Sequence, residues 1–539
     1  MKTSRTPPAD RQLELGRQAG RSAAWTQVVD DKMARIISSL SRAGAPASAS
    51  PVGLPGAHAS VRAPRVGIAA MLLPALLAAA FLLGGSARSD GPGLLVLWPL
   101  SLIFLGIACA ELRREPLAEY STVLMVLGGG LALALIQLIP LPAALWHALP
   151  GRELIAQIDR AAGLGEPARP LTMDPPATLV AALALVLPLA VVLLAAQLPS
   201  FARARLVLIV LAAGALSALL GVVQMLGDPN GPLYFYTPTN NGSPVGLFAN
   251  RNHQAVALAC LVPLALAAAT LPRLGQDGQH RAPHPLAMPA AVLAVGLLVP
   301  LIFITGSRSG LVAAQLALVG SPLVISRRGA ARAAARVSVL IAAVISAATG
   351  AAALWLGRDF ALERLFGTNL LNDLRVRMLP TLDTMLGEYF VWGSGLGSFE
   401  RVYLIHEPAE LLQPAYVNHA HNDWLELIIT GGLPAAALVL ALIVSVVWRA
   451  ITVFKRADSE WHPLRRAALL CLAIMALASL SDYPLRTPFF AGLLSLCLVW
   501  LFMDDETAGV WTSASSARGG NNRGRGQQEE NFLSGERRP

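Results

Sequence analysis

The sequence predicts an all-α polytopic membrane protein with about twelve transmembrane helices. Three observations lead to this fold class. Apolar residues make up 55% of the 539 residues and charged residues only 14%, whereas soluble domains contain about 45–50% and about 25%. The mean hydropathy is +0.56. Apolar stretches of about 17–25 residues, long enough to cross a bilayer, recur along most of the chain. A single large soluble enzyme is therefore excluded.

The predicted spans follow one another and contain few charged residues, since burying charge in hydrocarbon is costly. They divide the chain into a transmembrane domain, residues 66–505, and two polar ends, residues 1–65 and 506–539, whose composition is typical of disorder. In order, the spans are residues 66–84, 94–110, 121–140, 177–198, 203–223, 253–271, 288–305, 309–325, 334–356, 423–448, 464–481 and 487–503.

The distribution of positive charge predicts the orientation. Most of the 42 lysines and arginines fall in the two polar ends and in alternate loops, which the positive-inside rule places in the cytoplasm. The net charge of +9 follows from this bias, so no nucleic-acid partner is predicted. A long loop, residues 357–422, then lies outside the cytoplasm between the ninth and tenth spans. The short inner loops show the bias in four pairs: Arg113 and Arg114, Arg203 and Arg205, Arg327 and Arg328, Arg465 and Arg466.

The long outer loop contains one patterned segment. Apolar residues recur there at helical spacing, with polar residues between them. The pattern predicts a short amphipathic helix at the membrane surface. Its apolar members are Leu379, Leu382, Met385, Leu386 and Phe390.

Cysteine usage gives no sign of a metal site or a disulfide framework. The four cysteines lie in or beside apolar stretches, and none forms a CxxC pair. We therefore predict no metal and no cofactor. The cysteines are Cys109, Cys260, Cys471 and Cys497.

Arginines on the outer side are informative because positive charge is scarce there. Arg308 lies between small residues in the turn Gly306–Gly310, where it can either snorkel toward water or bind an anion. Arg375 and Arg377 precede a glycine-rich segment, residues 393–398. If that part of the chain is extended, both guanidiniums point the same way and can meet one diphosphate.

Histidines and amides form the other candidate site residues. His419 and His421 end the long loop just before a predicted span, and Asn422 or Asp423 is a plausible N-cap of that helix. A single imidazole is suited to take a proton from a sugar hydroxyl, whereas a zinc site usually needs more convergent ligands.

A weaker feature lies at another junction between an outer loop and a helix. It is the run Asn250, Arg251 and Asn252, which can bind sugar hydroxyls or phosphate.

Four of these motifs occur in one order along the chain: GLFANRN, GSRSG, RVR followed by GSGLGSF, and HAHNDWLELIITGG. Together they resemble the O-antigen ligase and polymerase family, most strongly over residues 240–435. The resemblance implies a bacterial inner-membrane glycosyltransferase without a metal, whose active site faces the periplasm. Arg251, in place of a commoner small residue or proline, and Pro380, near a position that is often aromatic, depart from the family pattern and leave acceptor specificity open.

The resemblance also implies substrates and roles. The donor is a glycan on undecaprenyl diphosphate, and the acceptor is lipid A–core for a ligase or a second lipid-linked glycan for a polymerase. His421, Arg308 and Arg375 match the catalytic positions. Substrate binding falls to Arg377, Asn250, Arg251, Asn252, His419 and Asn422. A secondary transporter is the alternative of another class, although the two halves show no convincing repeat and the polar groups lie at the outer ends of the spans.

Overall fold

The computed structural model describes residues 67–88, 91–111, 115–237, 239–275, 279–325, 344, 374–412, 417–455 and 459–504. Most of these residues are helical. The helices are α1 Ala69–Leu83, α2 Leu94–Ala110, α3 Ser121–Gln137, α4 Ala143–His147, α5 Glu153–Ala161, α6 Pro175–Ala184, α7 Val186–Ala196, α8 Ser200–Arg205, α9 Val207–Leu226, α10 Arg251–Ala268, α11 Ala287–Ile304, α12 Arg308–Val324, α13 Leu374–Arg377, α14 Leu379–Tyr389, α15 Phe399–His406, α16 Asp423–Lys455, α17 His462–Ala478 and α18 Pro488–Phe502.

Apolar helices dominate the described part of the chain, as the composition predicts. Five helical segments there are long and apolar enough to cross a membrane, and α1, α2, α12 and α18 are shorter but equally apolar. The chain is therefore a helical membrane protein. The total of twelve spans stays a prediction, because the ninth, residues 334–356, lies outside the described residues apart from Val344. The five segments are Leu117–Gln137, Pro175–Ala196, Ser200–Leu226, Ala287–Ile304 and Asp423–Lys455.

Helix α10 lies at the centre of the bundle. Its side chains from His253 to Ala267 are all buried, and it packs against α9, α11, α12 and α17. A helix that is apolar on every face belongs inside a bundle. Its first turn is nevertheless polar, so it brings polar side chains to one end of the bundle, which we call the site end.

Three predicted spans are less regular than expected. The segment 177–198 consists of α6 and α7, and the segment 203–223 consists of α8 and α9. Helix α16 is kinked at Gly432, which has φ 64° and ψ −161°. The kink separates two polar turns from the apolar remainder, because glycine can adopt a backbone conformation that stops regular helix hydrogen bonding.

Residues 374–412, within the loop that is predicted to lie outside the cytoplasm, contribute most of a small separate core. Met378, Leu382 and Met385 pack with Phe399 and Ile429. The short helix predicted from the leucine spacing is therefore present as α14, but Leu382 and Met385 face the protein rather than a membrane surface. Leu379 and Phe390 of the same pattern remain exposed.

Two short hairpins depart from a purely helical fold. Strand β1, Pro140–Leu141, pairs antiparallel with β2, Arg169–Pro170, and β3, Arg273–Leu274, pairs with β4, His280–Arg281. The first hairpin brings together the two ends of the segment between α3 and α6.

The buried side chain of Arg152 joins two parts of the segment between α3 and α6. Its guanidinium donates to the carbonyls of Leu171 and Pro150, at 2.9 and 3.1 Å. Burial lowers the pKa of Arg152.

The glycine-rich segment 393–398 is a packing element. The amides of Ser394 and Gly395 donate to the carbonyls of Ile429 and Thr430 at 3.0 and 2.9 Å, and the Leu396 amide donates to Gln137 Oε1 at 2.8 Å. These amides are therefore used inside the protein and are not available to a phosphate group. The segment joins the outer core to the kink of α16.

Substituting Gly395 with alanine is expected to destabilise the protein. Gly395 has φ +114°, and an added Cβ would overlap the Thr172 side chain. The expected loss is roughly 2–4 kcal/mol, the sum of backbone strain and overpacking. The matched control is Gly387→Ala in α14, where nothing lies within 4 Å of the new Cβ. That change should stabilise the helix by about 0.5–1 kcal/mol. Thermal unfolding of the two purified variants measures the difference, and equal midpoints would contradict this account.

Candidate functional site

A buried carboxylate, Asp482, lies at the centre of the polar cluster at the site end. It follows α17 in the turn that leads to α18, and it is only 1% exposed. Its Oδ2 accepts from Asn252 Nδ2 at 2.7 Å, and its Oδ1 accepts from the Tyr483 amide at 3.0 Å. Three cationic or titratable side chains face it at longer range: Arg375 NH2 at 3.5 Å, His253 Nε2 at 3.7 Å and His421 Nδ1 at 3.7 Å.

The surroundings of Asp482 keep it ionised. Burial alone raises the pKa of this carboxyl, but His253, His421 and Arg375 together hold that pKa well below its usual range. A carboxylate that stays charged can orient a histidine and stabilise its protonated form. Burial also raises the pKa of the neighbouring Tyr483, so this phenol stays protonated.

The backbone positions His421. It is the one residue other than glycine with positive φ in the described part of the chain, at φ 51°. A left-handed conformation is strained for a residue with a Cβ, and such strain is typical of functional sites. The next residue, Asn422, accepts from the amides of Trp424 and Leu425, both at 3.0 Å. Asn422 is thus the N-cap of α16, as predicted, and the ring of His421 lies just before the helix begins.

His419 belongs to a second carboxylate network. Its Nδ1 lies 3.0 Å from Glu426 Oε1, and Glu426 is 1% exposed. Glu426 also accepts from the Ala420 amide at 2.9 Å and faces Arg486 NH2 at 3.3 Å. The ring of Tyr483 packs against both histidines, with centroids 4.4 Å from His419 and 5.0 Å from His421. The aromatic ring therefore separates the two networks and fixes both imidazoles.

Arg486 lies four residues after Asp482 in the chain, but its guanidinium pairs with two other carboxylates. Arg486 Nε instead donates to Asp423 Oδ1 at 3.1 Å, and its NH2 faces Glu426. Asp423 and Glu426 lie one turn apart at the start of α16 and so present two carboxylates to one guanidinium. Asp482 therefore faces His253 and His421 rather than Arg486.

Arg375 and Arg377 were expected to meet one diphosphate if their part of the chain is extended, and that condition is not met. Residues 374–377 form a helical turn, not an extended segment. Side chains two residues apart then point to nearly opposite sides. Arg375 faces Asp482 at 3.5 Å, whereas Arg377 donates to the Glu410 carbonyl at 2.9 Å. Only Arg375 is directed toward the cluster.

The run from Asn250 to Asn252 forms the start of α10. Asn250 caps the helix by accepting from the Asn252 amide at 2.8 Å. Asn252 uses its own side chain to donate to Asp482, and the Arg251 amide donates to Asn240 Oδ1 at 3.0 Å. The structure thus brings this run into the cluster, with Asn252 as the direct contact. A role in substrate binding stays a prediction for these three residues.

Arg308 is placed near the cluster by helix packing. It is the first residue of α12, after Ser307, whose side chain caps the helix by accepting from the Gly310 amide at 3.0 Å. Gly310 leaves room for Ala255, since an added Cβ would overlap that side chain. The start of α12 therefore lies against the first turn of α10, which carries His253.

Sequence reasoning missed three members of the cluster. His253 directly follows the GLFANRN motif, Glu426 lies within HAHNDWLELIITGG, and Asp482 lies between the last two predicted spans, but none of the three was predicted as a site residue. One signal in the sequence does mark Asp482 and Glu426: each is an acidic residue beside long apolar stretches, where an unpaired charge is costly. The identity of the partners depends on helices that are far apart in the chain.

Part of the chain is similar to a known protein family. Residues 293–440 match the family model described as O-antigen ligase. The matched segment contains Arg308, Arg375, His419 and His421. This part of the chain, about a quarter of its length, is therefore similar to the O-antigen ligase family. No curated protein matches the chain.

Proposed function

We propose that this protein transfers a glycan from undecaprenyl diphosphate to a sugar hydroxyl of lipid A–core, as an O-antigen ligase. The observation that carries the proposal is the pairing of His421 with the ionised Asp482 beside Arg375, in a chain whose residues 293–440 match the O-antigen ligase model. A base and a cation at one end of an apolar bundle suit a substrate with a lipid tail and a charged diphosphate. We place the protein in the bacterial inner membrane, with the site end facing the periplasm.

The proposed reaction is an inverting displacement. The acceptor oxygen attacks C1 of the donor glycan, and the bond from C1 to the diphosphate oxygen breaks. The hydroxyl proton passes to His421, and undecaprenyl diphosphate leaves with the bonding electrons. If His421 Nδ1–H points toward Asp482, the other ring nitrogen is the one that accepts the proton. Arg375 and Arg308 stabilise the negative charge that grows on the leaving diphosphate.

The ligase proposal is tested by glycan profiling of a deletion strain. Loss of long glycan from lipid A–core, with lipid-linked polymer still made, supports a ligase. Accumulation of single lipid-linked repeats instead shows a polymerase, which the family match equally includes. An unchanged profile of both pools contradicts glycan transfer altogether.

Arg308→Ala and Arg375→Ala are each expected to remove most of the activity, and lysine at either position to restore only part of it. A lysine keeps the charge but lacks the planar fork that binds two phosphate oxygens. The matched control is Arg377→Ala, since that guanidinium donates to a backbone carbonyl away from the cluster. Transfer rates at equal membrane abundance measure the effect. Full activity of the double alanine variant would contradict a diphosphate clamp.

A further inference from the structure

A loop beside the cluster combines an exposed aromatic ring with several amide side chains. This amide–aromatic loop, residues 228–241, connects α9 to the segment that leads into α10. Phe235 is 53% exposed. Asn230, Asn240 and Asn241 are exposed as well. Between residues 228 and 250 the sequence contains one charged residue, Asp228, so this surface is polar but almost uncharged.

Hydrogen bonds to buried parts of the protein anchor the loop. Gln224 is 1% exposed, and its Nε2 donates to the carbonyls of Leu233 and Gly246 at 2.9 and 3.0 Å. The hydroxyl of Tyr234 reaches the Ser243 carbonyl at 3.3 Å, and that of Tyr236 accepts from the Gly85 amide at 3.1 Å. Both tyrosines flanking Phe235 are therefore turned toward the protein. These contacts anchor the chain on both sides of Phe235, which lowers the conformational entropy that the loop loses when a ligand binds.

The loop is connected to the cluster through two short links. Asn240 accepts from the Arg251 amide at 3.0 Å, and the next residue, Asn252, donates to Asp482 at 2.7 Å. Asn241 also donates to Asn230 across the loop at 3.1 Å. Asn240 is thus connected, through Arg251 and Asn252, to the carboxylate that faces His421.

We propose that the amide–aromatic loop is a sugar-binding subsite, with Phe235 as the stacking surface. A pyranose ring has an apolar C–H face that packs on an aromatic ring, and hydroxyls at its edge that pair with amides. This inference rests on the proposed function, because it places the sugars of a glycan substrate beside His421. The sugars come either from the acceptor core or from the donor glycan, and the two sources are separated by experiment.

The composition of the loop argues for sugar rather than lipid headgroups. Segments that lie on a membrane surface combine several apolar residues on one face with lysine or arginine on the other. The loop has no lysine or arginine, and the two neighbours of Phe235 have their hydroxyls bonded inside the protein. The other exposed side chains of the loop include Asn230, Thr237, Asn240 and Asn241.

The test uses the full-length protein in nanodiscs and saturation-transfer NMR. Two probes are titrated separately: the core oligosaccharide released by mild acid from lipopolysaccharide without O-antigen, and the O-antigen polysaccharide freed of its lipid carrier. We expect the wild type to bind at least one probe and Phe235→Ala to bind it roughly tenfold more weakly. Phe235→Trp should restore the affinity, because it restores a flat aromatic surface. The matched control is Leu226→Ala, an 84% exposed side chain at the end of the preceding helix, which should bind like the wild type.

The probe that depends on Phe235 identifies the source of the sugar. The subsite would be overturned if the wild type binds neither probe, or if Phe235→Ala binds the probes as tightly as the wild type. In the second case, altered lipid contacts of the variant would show that the ring contacts the membrane instead. His421→Ala separates this result from the proposed function. It should keep full sugar binding while losing transfer. If His421→Ala retains transfer but binding still depends on Phe235, the catalytic proposal fails and the subsite stands.

Discussion

His421→Ala is expected to lower the rate of glycan transfer by roughly 10²–10⁴-fold, the usual contribution of a general base. His421 Nδ1 faces the ionised Asp482 at 3.7 Å, so the imidazole is positioned to hold a proton taken from the acceptor. Binding of the lipid-linked donor should survive, since the proposed mechanism assigns the diphosphate to Arg308 and Arg375.

His419→Ala is the matched control for this prediction. Glu426 keeps the Ala420 amide and Arg486 as partners when the His419 ring is removed, so a milder loss is expected. A metal mechanism makes the opposite prediction: both histidines equally necessary, and activity abolished by a chelator. Side-by-side rates of the two variants, with and without EDTA, decide the matter. Equal losses together with chelator sensitivity would show that the assignment of His421 is wrong.

Asp482→Asn is expected to cause the second large loss, roughly 10²–10⁴-fold, as when a carboxylate that orients a catalytic imidazole is neutralised. Asparagine retains an acceptor for Asn252 but no longer stabilises imidazolium. Rates are compared at equal membrane abundance. A purely structural role for Asp482 would lower abundance or stability without lowering the rate per molecule.

Asp482 makes the stability of the folded protein depend on pH. Its pKa in the folded protein is held well below the ordinary value, so its contribution to stability is present above the unfolded pKa of about 3.9 and is lost as pH falls through the lower folded pKa. Asp423→Asn, which changes a buried carboxylate that contacts Arg486, is the control for Asp482→Asn and should retain a larger share of the transfer rate.

The helical membrane fold was predictable from the sequence because long apolar helices can be identified from the length and composition of apolar stretches. Helix α2 has the predicted bounds, Leu94–Ala110, and α10 and α12 begin within a few residues of prediction. The kink at Gly432 was not predicted. It depends on the glycine-rich segment 393–398, which packs against it from a distant part of the chain.

The candidate site was only partly predictable. Motifs singled out His421, Arg308 and Arg375, because positive charge and imidazole are unusual on the outer side. Sequence spacing alone could not show that Arg377 turns away, since that depends on whether residues 374–377 are helical or extended. Nor could it pair Asp482 with His421, because that contact joins two turns brought together by helix packing.

The most direct test of the central claim is a reconstituted transfer reaction. Purified protein in proteoliposomes is given glycan-linked undecaprenyl diphosphate and lipid A–core, and both the glycosylated lipid A–core and the released undecaprenyl diphosphate are measured. We predict equal amounts of the two products from the wild type, and a rate from His421→Ala that is lower by roughly 10²–10⁴-fold. Intact donor in the wild-type reaction, or turnover by His421→Ala equal to that of the wild type, would contradict transfer assisted by this histidine.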